Sequence, residues 1–246
     1  MGAILLAGLS QAHQMDFAQT ETNNVFVASV ETKLKMTNYV FANLKHWMET
    51  GGDTLVAPPE FNDLGAFPVY ITWKKWWTNE ALEEPETEAV LRGCQGTLLF
   101  GDFEANLFPL GYTLRQMSII SAAFDNRFFP IQLEELENLM VEISVLNNFE
   151  PISDPYDWDI ETHGLTLSIT ADEQLYQSTY LPRVALEGGM TMEETLDNLV
   201  KKAGYDGCFE DVKDNVEMTR YQSVKFGMDY YDWENPEWGW RVCYYK

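Results

Sequence analysis

The stretch Leu91-Arg92-Gly93-Cys94-Gln95-Gly96-Thr97 sets a thiol between two glycines, with a guanidinium two residues before it. If this stretch is extended, Arg92, Cys94 and Gly96 face one way and Gly93, Gln95 and Thr97 the other. A fixed positive charge beside a thiol favours the thiolate and lowers its pKa, as a nucleophile requires. Gly96 adds no side chain to crowd the approach. Such a site also needs a base. His163, in Glu161-Thr162-His163-Gly164 where a strand begins, is the best candidate among three histidines. The competing reading is a small cysteine packed at a tight strand crossing and a histidine capping a turn.

Other chemistries have weaker support. The chain lacks a phosphate-binding glycine loop, a Gly-x-Gly-x-x-Gly turn, His-Glu-x-x-His and Gly-x-Ser-x-Gly. No two cysteines have metal-knuckle spacing, so no metal or cofactor is expected. Asp154, Asp157, Asp159 and Glu161 lack the order of a calcium loop and read as solvated loop. Near the C-terminus, Trp233, Trp238 and Trp240 crowd together with Tyr230, Tyr231, Tyr244 and Tyr245. They read as core lining with an exposed remnant suited to protein binding.

The elements that must position these residues follow from periodicity. Met36, Val40, Leu44 and Trp47 recur at helical spacing, and Gly51-Gly52 ends the run. Val69, Ile71 and Trp73 alternate with polar residues as a strand. A helical stripe runs from Leu110 through Leu114, Met117 and Ser121 to Phe124, and a short helical piece follows over Leu133 to Leu139. Val141, Ile143, Val145 and then Leu165, Leu167, Ile169 alternate as strands with one wet face, which favours antiparallel pairing. Thr191 and Glu194 make a capping box for a helix stopped by Gly204. Val224, Phe226 and Met228 close the series as a strand. Segregated helices and alternating strands define an α+β class.

Composition narrows the partners. The chain has 246 residues, 39 acidic against 16 basic, and a formal net charge of -23. That field repels nucleic-acid phosphates and anionic lipid, so neither nucleic acid nor membrane is expected as a partner. Three scattered cysteines, Cys94, Cys208 and Cys243, suit a reducing compartment, cytoplasmic or nuclear. The apolar run Ala3 to Leu9 has no preceding Lys or Arg; it reads as an N-terminal tail, with a weak signal peptide as the alternative.

The cysteine segment resembles the Leu-Arg-Gly-Cys-Ile-Gly hallmark of the AMMECR domain family. Val69-Tyr70-Ile71-Thr72-Trp73-Lys74 is similar to the family's preceding strand, and Asp125-Asn126-Arg127-Phe128-Phe129-Pro130-Ile131 to its next block. Val145-Leu146-Asn147-Asn148-Phe149-Glu150, Asp157-Trp158-Asp159, His163-Gly164-Leu165, Thr179-Tyr180-Leu181-Pro182 and Thr219-Arg220-Tyr221 continue the resemblance in order. Three departures stand out: Gln95 for Ile, an enlarged acidic loop around Glu80 to Glu88, and an insertion from Phe103 to Leu110. The resemblance implies two unequal α+β subdomains, each with an antiparallel sheet and packed helices, and a cleft between them that holds Arg92 and Cys94. It implies no settled activity; microbial members occur beside Memo-type and radical-SAM proteins.

The expected organisation is a tail over residues 1–30, an AMMECR-like domain over 31–230 and an aromatic segment over 231–246 packed on it. Candidate catalytic residues are Cys94 and His163; candidate binding residues are Arg92, Gly93, Gly96 and Arg127. The leading functional expectation is an acidic, intracellular binding or regulatory module that uses the cleft for an unidentified protein or small molecule. The alternative is a thiol-dependent enzyme with Cys94 as nucleophile.

Overall fold

Buried alternation on a twisted antiparallel sheet decides the architecture. The computed structural model describes residues 25–76, 89–97, 108–171 and 174–235. Helix α1 spans Val30–Thr50, capped by the Ser29 hydroxyl at its start and by Gly51 in the left-handed region at its end. Strand β1 (Val69–Lys75) pairs with β2 (Val90–Gly96) on one side and β3 (Leu139–Ile152) on the other. Helix α2 (Leu110–Ala123) lies between β2 and β3 in the chain. Strands β4 (Gly164–Ala171) and β5 (Gln174–Tyr180) form a hairpin. Three helices follow, α3 (Val184–Glu187), α4 (Met192–Ala203) and α5 (Phe209–Val212), then strand β6 (Val216–Asp229) and the short helix α6 (Tyr230–Glu234).

The six strands form one antiparallel sheet in the order β2-β1-β3-β6-β4-β5. The α+β class and antiparallel pairing are as expected. The two unequal units are there as two separate cores, but they share one sheet instead of building one each. The reason is length: β3 and β6 each run 14 residues and serve both halves. The larger core sets Val69, Ile71, Trp73, Ile143 and Phe226 against α1 and α2; the smaller sets Leu165, Leu167, Ile169 and Met218 against α4. By register, both cores lie on the same face of the sheet.

Three sequence expectations need correction. The strand beginning at Leu139 has no wet face along most of its length: Glu142, Ser144 and Asn147 are buried with their apolar neighbours. Thr166 of β4 is buried likewise. The physical cause is that the sheet curls over its own second face. In addition, β5 and the first half of β6 are strands where the apolar alternation gave no signal. The chain is already packed before residue 31, since the buried Phe26 ring sits edge-on to Phe67 at 5.4 Å. At the other end Trp233 stacks on Phe41 at 5.5 Å. The Glu80 to Glu88 loop, the start of the Phe103 to Leu110 stretch, Cys243, Trp238, Trp240, Tyr244 and Tyr245 lie outside the described residues.

Candidate functional site between the sheet edges

The two glycines of the cysteine segment are explained by close packing. A side chain at Gly93 would begin 2.2 Å from the Ser121 carbonyl oxygen of α2, so β2 and α2 touch there backbone to backbone. A side chain at Gly96 would begin 2.4 Å from Tyr70 Cγ, so the Tyr70 ring lies over that glycine. Gln95 is opposite Ile71 on the helix-covered face, while Cys94 is opposite Thr72 on the other. The expected separation of Gln95 from the thiol is therefore observed.

Arg92 is not held beside the thiol. A register shift in the β1–β2 ladder falls at this residue. Its guanidinium forks onto Glu135, Nε to Oε1 at 3.0 Å and Nη2 to Oε2 at 2.8 Å, and Nη1 donates to the Phe129 carbonyl at 2.7 Å. Burial works against the Glu135 charge. Hydrogen bonds from Arg92, the Gln132 amide and Lys75 nevertheless carry its pKa down to about 2. Arg92 thus ties the 129–135 loop to the sheet.

The group that reaches Cys94 is Arg127. β2 is an edge strand, so the Cys94 amide and carbonyl point away from β1. Asp125 Oδ2 accepts from the Cys94 amide at 2.8 Å, and Arg127 Nη2 donates to the Cys94 carbonyl at 3.1 Å. The same two residues form a two-pronged ion pair, Nε to Oδ1 at 2.9 Å and Nη2 to Oδ2 at 2.6 Å. Together they occupy the place of a missing strand. The Arg127 hydrogen bonds hold the Asp125 carboxyl down at about 2.

The thiol itself receives a hydrogen bond from the Thr72 hydroxyl at 3.2 Å. Burial pushes its pKa up, against the lowering pull of that bond and of the Arg127 and Lys225 charges. The expected acidic thiol is not found, because desolvation outweighs the nearby cations. His163 does not join the site. It sits at the start of β4, where its Nδ1 accepts from the Asp159 amide at 2.9 Å. Burial and the Arg220 charge push its pKa down. The Cys94 thiol has its own partner in Thr72 of β1. The turn-capping histidine is the reading the geometry supports. The acidic run around it is likewise structural: Asp157 pairs with Arg220, and Asp159 accepts the Glu161 and Thr162 amides.

The second face of the sheet carries Cys94, Thr72, Tyr70, Glu142, Ser144, Lys225 and Tyr221. Glu142 is buried and paired with Lys74 at 2.9 Å. Tyr221 bonds Thr179 at 2.7 Å and acts electrostatically on Tyr70, although their strands are separated by β3. On the far edge, Lys202 of α4 wraps β5: its Nζ donates to the Thr179 carbonyl at 2.8 Å and lies 4.6 Å from the Tyr180 ring centre. Burial lowers the Lys202 pKa, and the Arg127 charge lowers it further. Arg127 thus caps the β2 end of the sheet and Lys202 the β5 end. Lys202 was missed in the sequence, where nothing links it to residues 94 or 127. Two further concavities lie elsewhere, about 510 Å³ along α1 beside Tyr39 and about 370 Å³ between Trp47 and Leu133.

A curled antiparallel sheet with helices packed on one face and a Leu-Arg-Gly-Cys segment on its edge strand defines an α+β protein. The AMMECR1 family profile matches residues 24–226, and the chain belongs to that family. An uncharacterised Arabidopsis thaliana protein is 38% identical over 189 residues, 72% of this chain and 81% of the relative. An uncharacterised Schizosaccharomyces pombe protein is 44% identical over 140 residues, 57% of this chain and 68% of that one. The crystal structure of an uncharacterised Pyrococcus horikoshii protein superposes with a TM-score of 0.60 at 26% identity, covering 79% of this chain and 90% of that one. No described helix is long and apolar enough to cross a membrane.

Proposed function

We propose that this protein is an intracellular binding or regulatory module that receives a protein or small-molecule partner on the sheet face that carries Cys94. The observation that carries this reading is that the two end strands are capped by cationic side chains, Arg127 and Lys202, while the strands between them carry Tyr70, Thr72, Ser144 and Tyr221 on the face of Cys94. Polar groups converging on a recess provide orientation and selectivity for a ligand. A thiol enzyme is the weaker reading, because the Cys94 thiol is bonded to the Thr72 hydroxyl, the Asp125 carboxylate is engaged on the Cys94 amide and on Arg127, and burial works against the thiolate. Affinity purification of wild type against Cys94→Ala, with mass spectrometry of proteins and small molecules, tests the proposal. The expected result is a species retained by wild type and lost from the variant. Identical profiles from two folded proteins would sink it.

A further inference from the structure

We propose that the recess between the end of α1 and the loop around Pro130 docks a peptide segment of a partner protein, one that sets an apolar side chain beside a Lys or Arg. Trp47 of this recess packs on the larger core, on the helix side of the sheet, so the surface is distinct from the Cys94 face.

The recess holds about 370 Å³ and is lined by Trp47, Met48, Pro130, Leu133 and Glu134, with Gly51 closing the α1 side. That is the small end of the range for ligand sites, which begins at roughly 300 Å³, and it suits an anchoring side chain. The surroundings are apolar and face water: Phe129 is 89% exposed, Phe124 65% and Leu133 42%. Phe124 sits edge-on to the Trp47 ring, 6.5 Å between centres, and Phe129 directly precedes Pro130. Large apolar side chains grouped at one place mark an interaction site, whereas scattered ones do not.

The backbone here is already fixed. Arg92 donates to the Phe129 carbonyl at 2.7 Å and to the Pro130 carbonyl at 3.3 Å, and the Gln132 side chain donates to Pro130 at 2.7 Å. The Ile131 amide donates to the Ala122 carbonyl at 2.9 Å. Docking therefore orders little of this chain, which removes a main cost of association.

Charge selects the partner. Glu134 of the lining is exposed, while its neighbour Glu135 is taken up by Arg92 and Lys75. Gly51 is the C-cap of α1, and the last turn of that helix holds no basic residue, so the negative end of its dipole opens on the recess. Lys45, a turn earlier, is paired with Glu49 at 3.6 Å. A Lys or Arg beside the anchor meets the Glu134 carboxylate and the last carbonyls of α1. The net charge of -23 steers a basic segment inward and sets a second copy of this acidic chain against itself.

The test pans a heptapeptide phage library on the full chain and measures synthetic copies of the enriched peptides by fluorescence anisotropy. The expected peptides place an aromatic or branched apolar residue beside Lys or Arg. Leu133→Asp, at an exposed position, should weaken them roughly tenfold. Phe129→Ala removes a ring that buries almost nothing in the folded chain, and it should weaken them roughly fivefold. Glu134→Lys should cost roughly tenfold, whereas Glu217→Lys, the same change at an exposed position of β6, should stay within about twofold. Cys94→Ala should bind as wild type does. No enrichment, enriched peptides without a basic residue, or affinities unmoved by all three recess variants would overturn the proposal. So would a loss with Cys94→Ala, which puts the peptide on the other face. A wild-type dimer that Leu133→Asp converts to monomer in sedimentation would also overturn it, since a second copy then fills the recess.

Discussion

At Cys94 the cations lose to the low-dielectric surroundings. Two positive charges and a hydroxyl act to lower the thiol pKa, and burial still pushes it up. Iodoacetamide labelling against pH should therefore give an apparent pKa no lower than that of a free thiol, about 8.5. A value near 7 would restore the nucleophile reading. Asp125 makes the opposite case. Its pKa is about 2 in the folded chain and about 3.9 in a free one, so its stabilisation is complete above about pH 4 and lost as pH falls through about 2. Asp125→Asn should cost on the order of 2 kcal/mol at neutral pH. Its urea unfolding curve should converge with that of wild type near pH 2; a constant gap across that range would refute the account. At this scale the sequence marked Cys94, Gly93 and Gly96 from local spacing alone. It misassigned Arg92, whose partner Glu135 is 43 residues away, and it could not show that Arg127 turns back onto residue 94. Such pairings depend on the fold, and nothing in a linear pattern records them.

Elements were legible where apolar residues keep a period. The α1 stripe ending at Gly51, β1, α2 and the α4 box formed by Thr191 and Glu194 all lie where the pattern places them. β5, Gln174–Tyr180, was not legible, since its glutamines and tyrosines carry no clear alternation. The buried second face of β3 misled for a different reason: Glu142 and Ser144 are polar and would ordinarily face water. Ser121, the weak position in the α2 stripe, proves to be an anchor, accepting from the buried Trp73 indole at 3.0 Å. The contact between β2 and α2 is the tightest of these joints. Gly93→Ala drives a methyl into the Ser121 carbonyl, and backbone on both sides leaves nothing flexible to yield. We expect a loss on the order of 3 kcal/mol, read as a lower chemical-denaturation midpoint. A change below about 0.5 kcal/mol would show that the two elements can separate at little cost.

Across the whole molecule, two cores hang from one sheet. β3 and β6 belong to both, so neither half can unfold without stripping hydrogen bonds from the other. Calorimetry should accordingly show one transition, with van't Hoff and calorimetric enthalpies in agreement. Two resolved peaks would mean that the halves are thermodynamically separate. The family resemblance anticipated two units, seen as two cores, while the sheet's continuity was legible only in the pairing. That continuity has a mechanical side. Two bodies joined by a linker swing on it, but here the two cores are joined by strands that belong to both. The ribbon's ladder is irregular between Asn147 and Glu150, where Asn148 takes a positive φ of 54° and its side-chain amide is tied to Gln222 at 2.6 Å. A bulge bends and twists its strand, so the turn of the sheet from one core to the other is built into β3 itself and not into a linker.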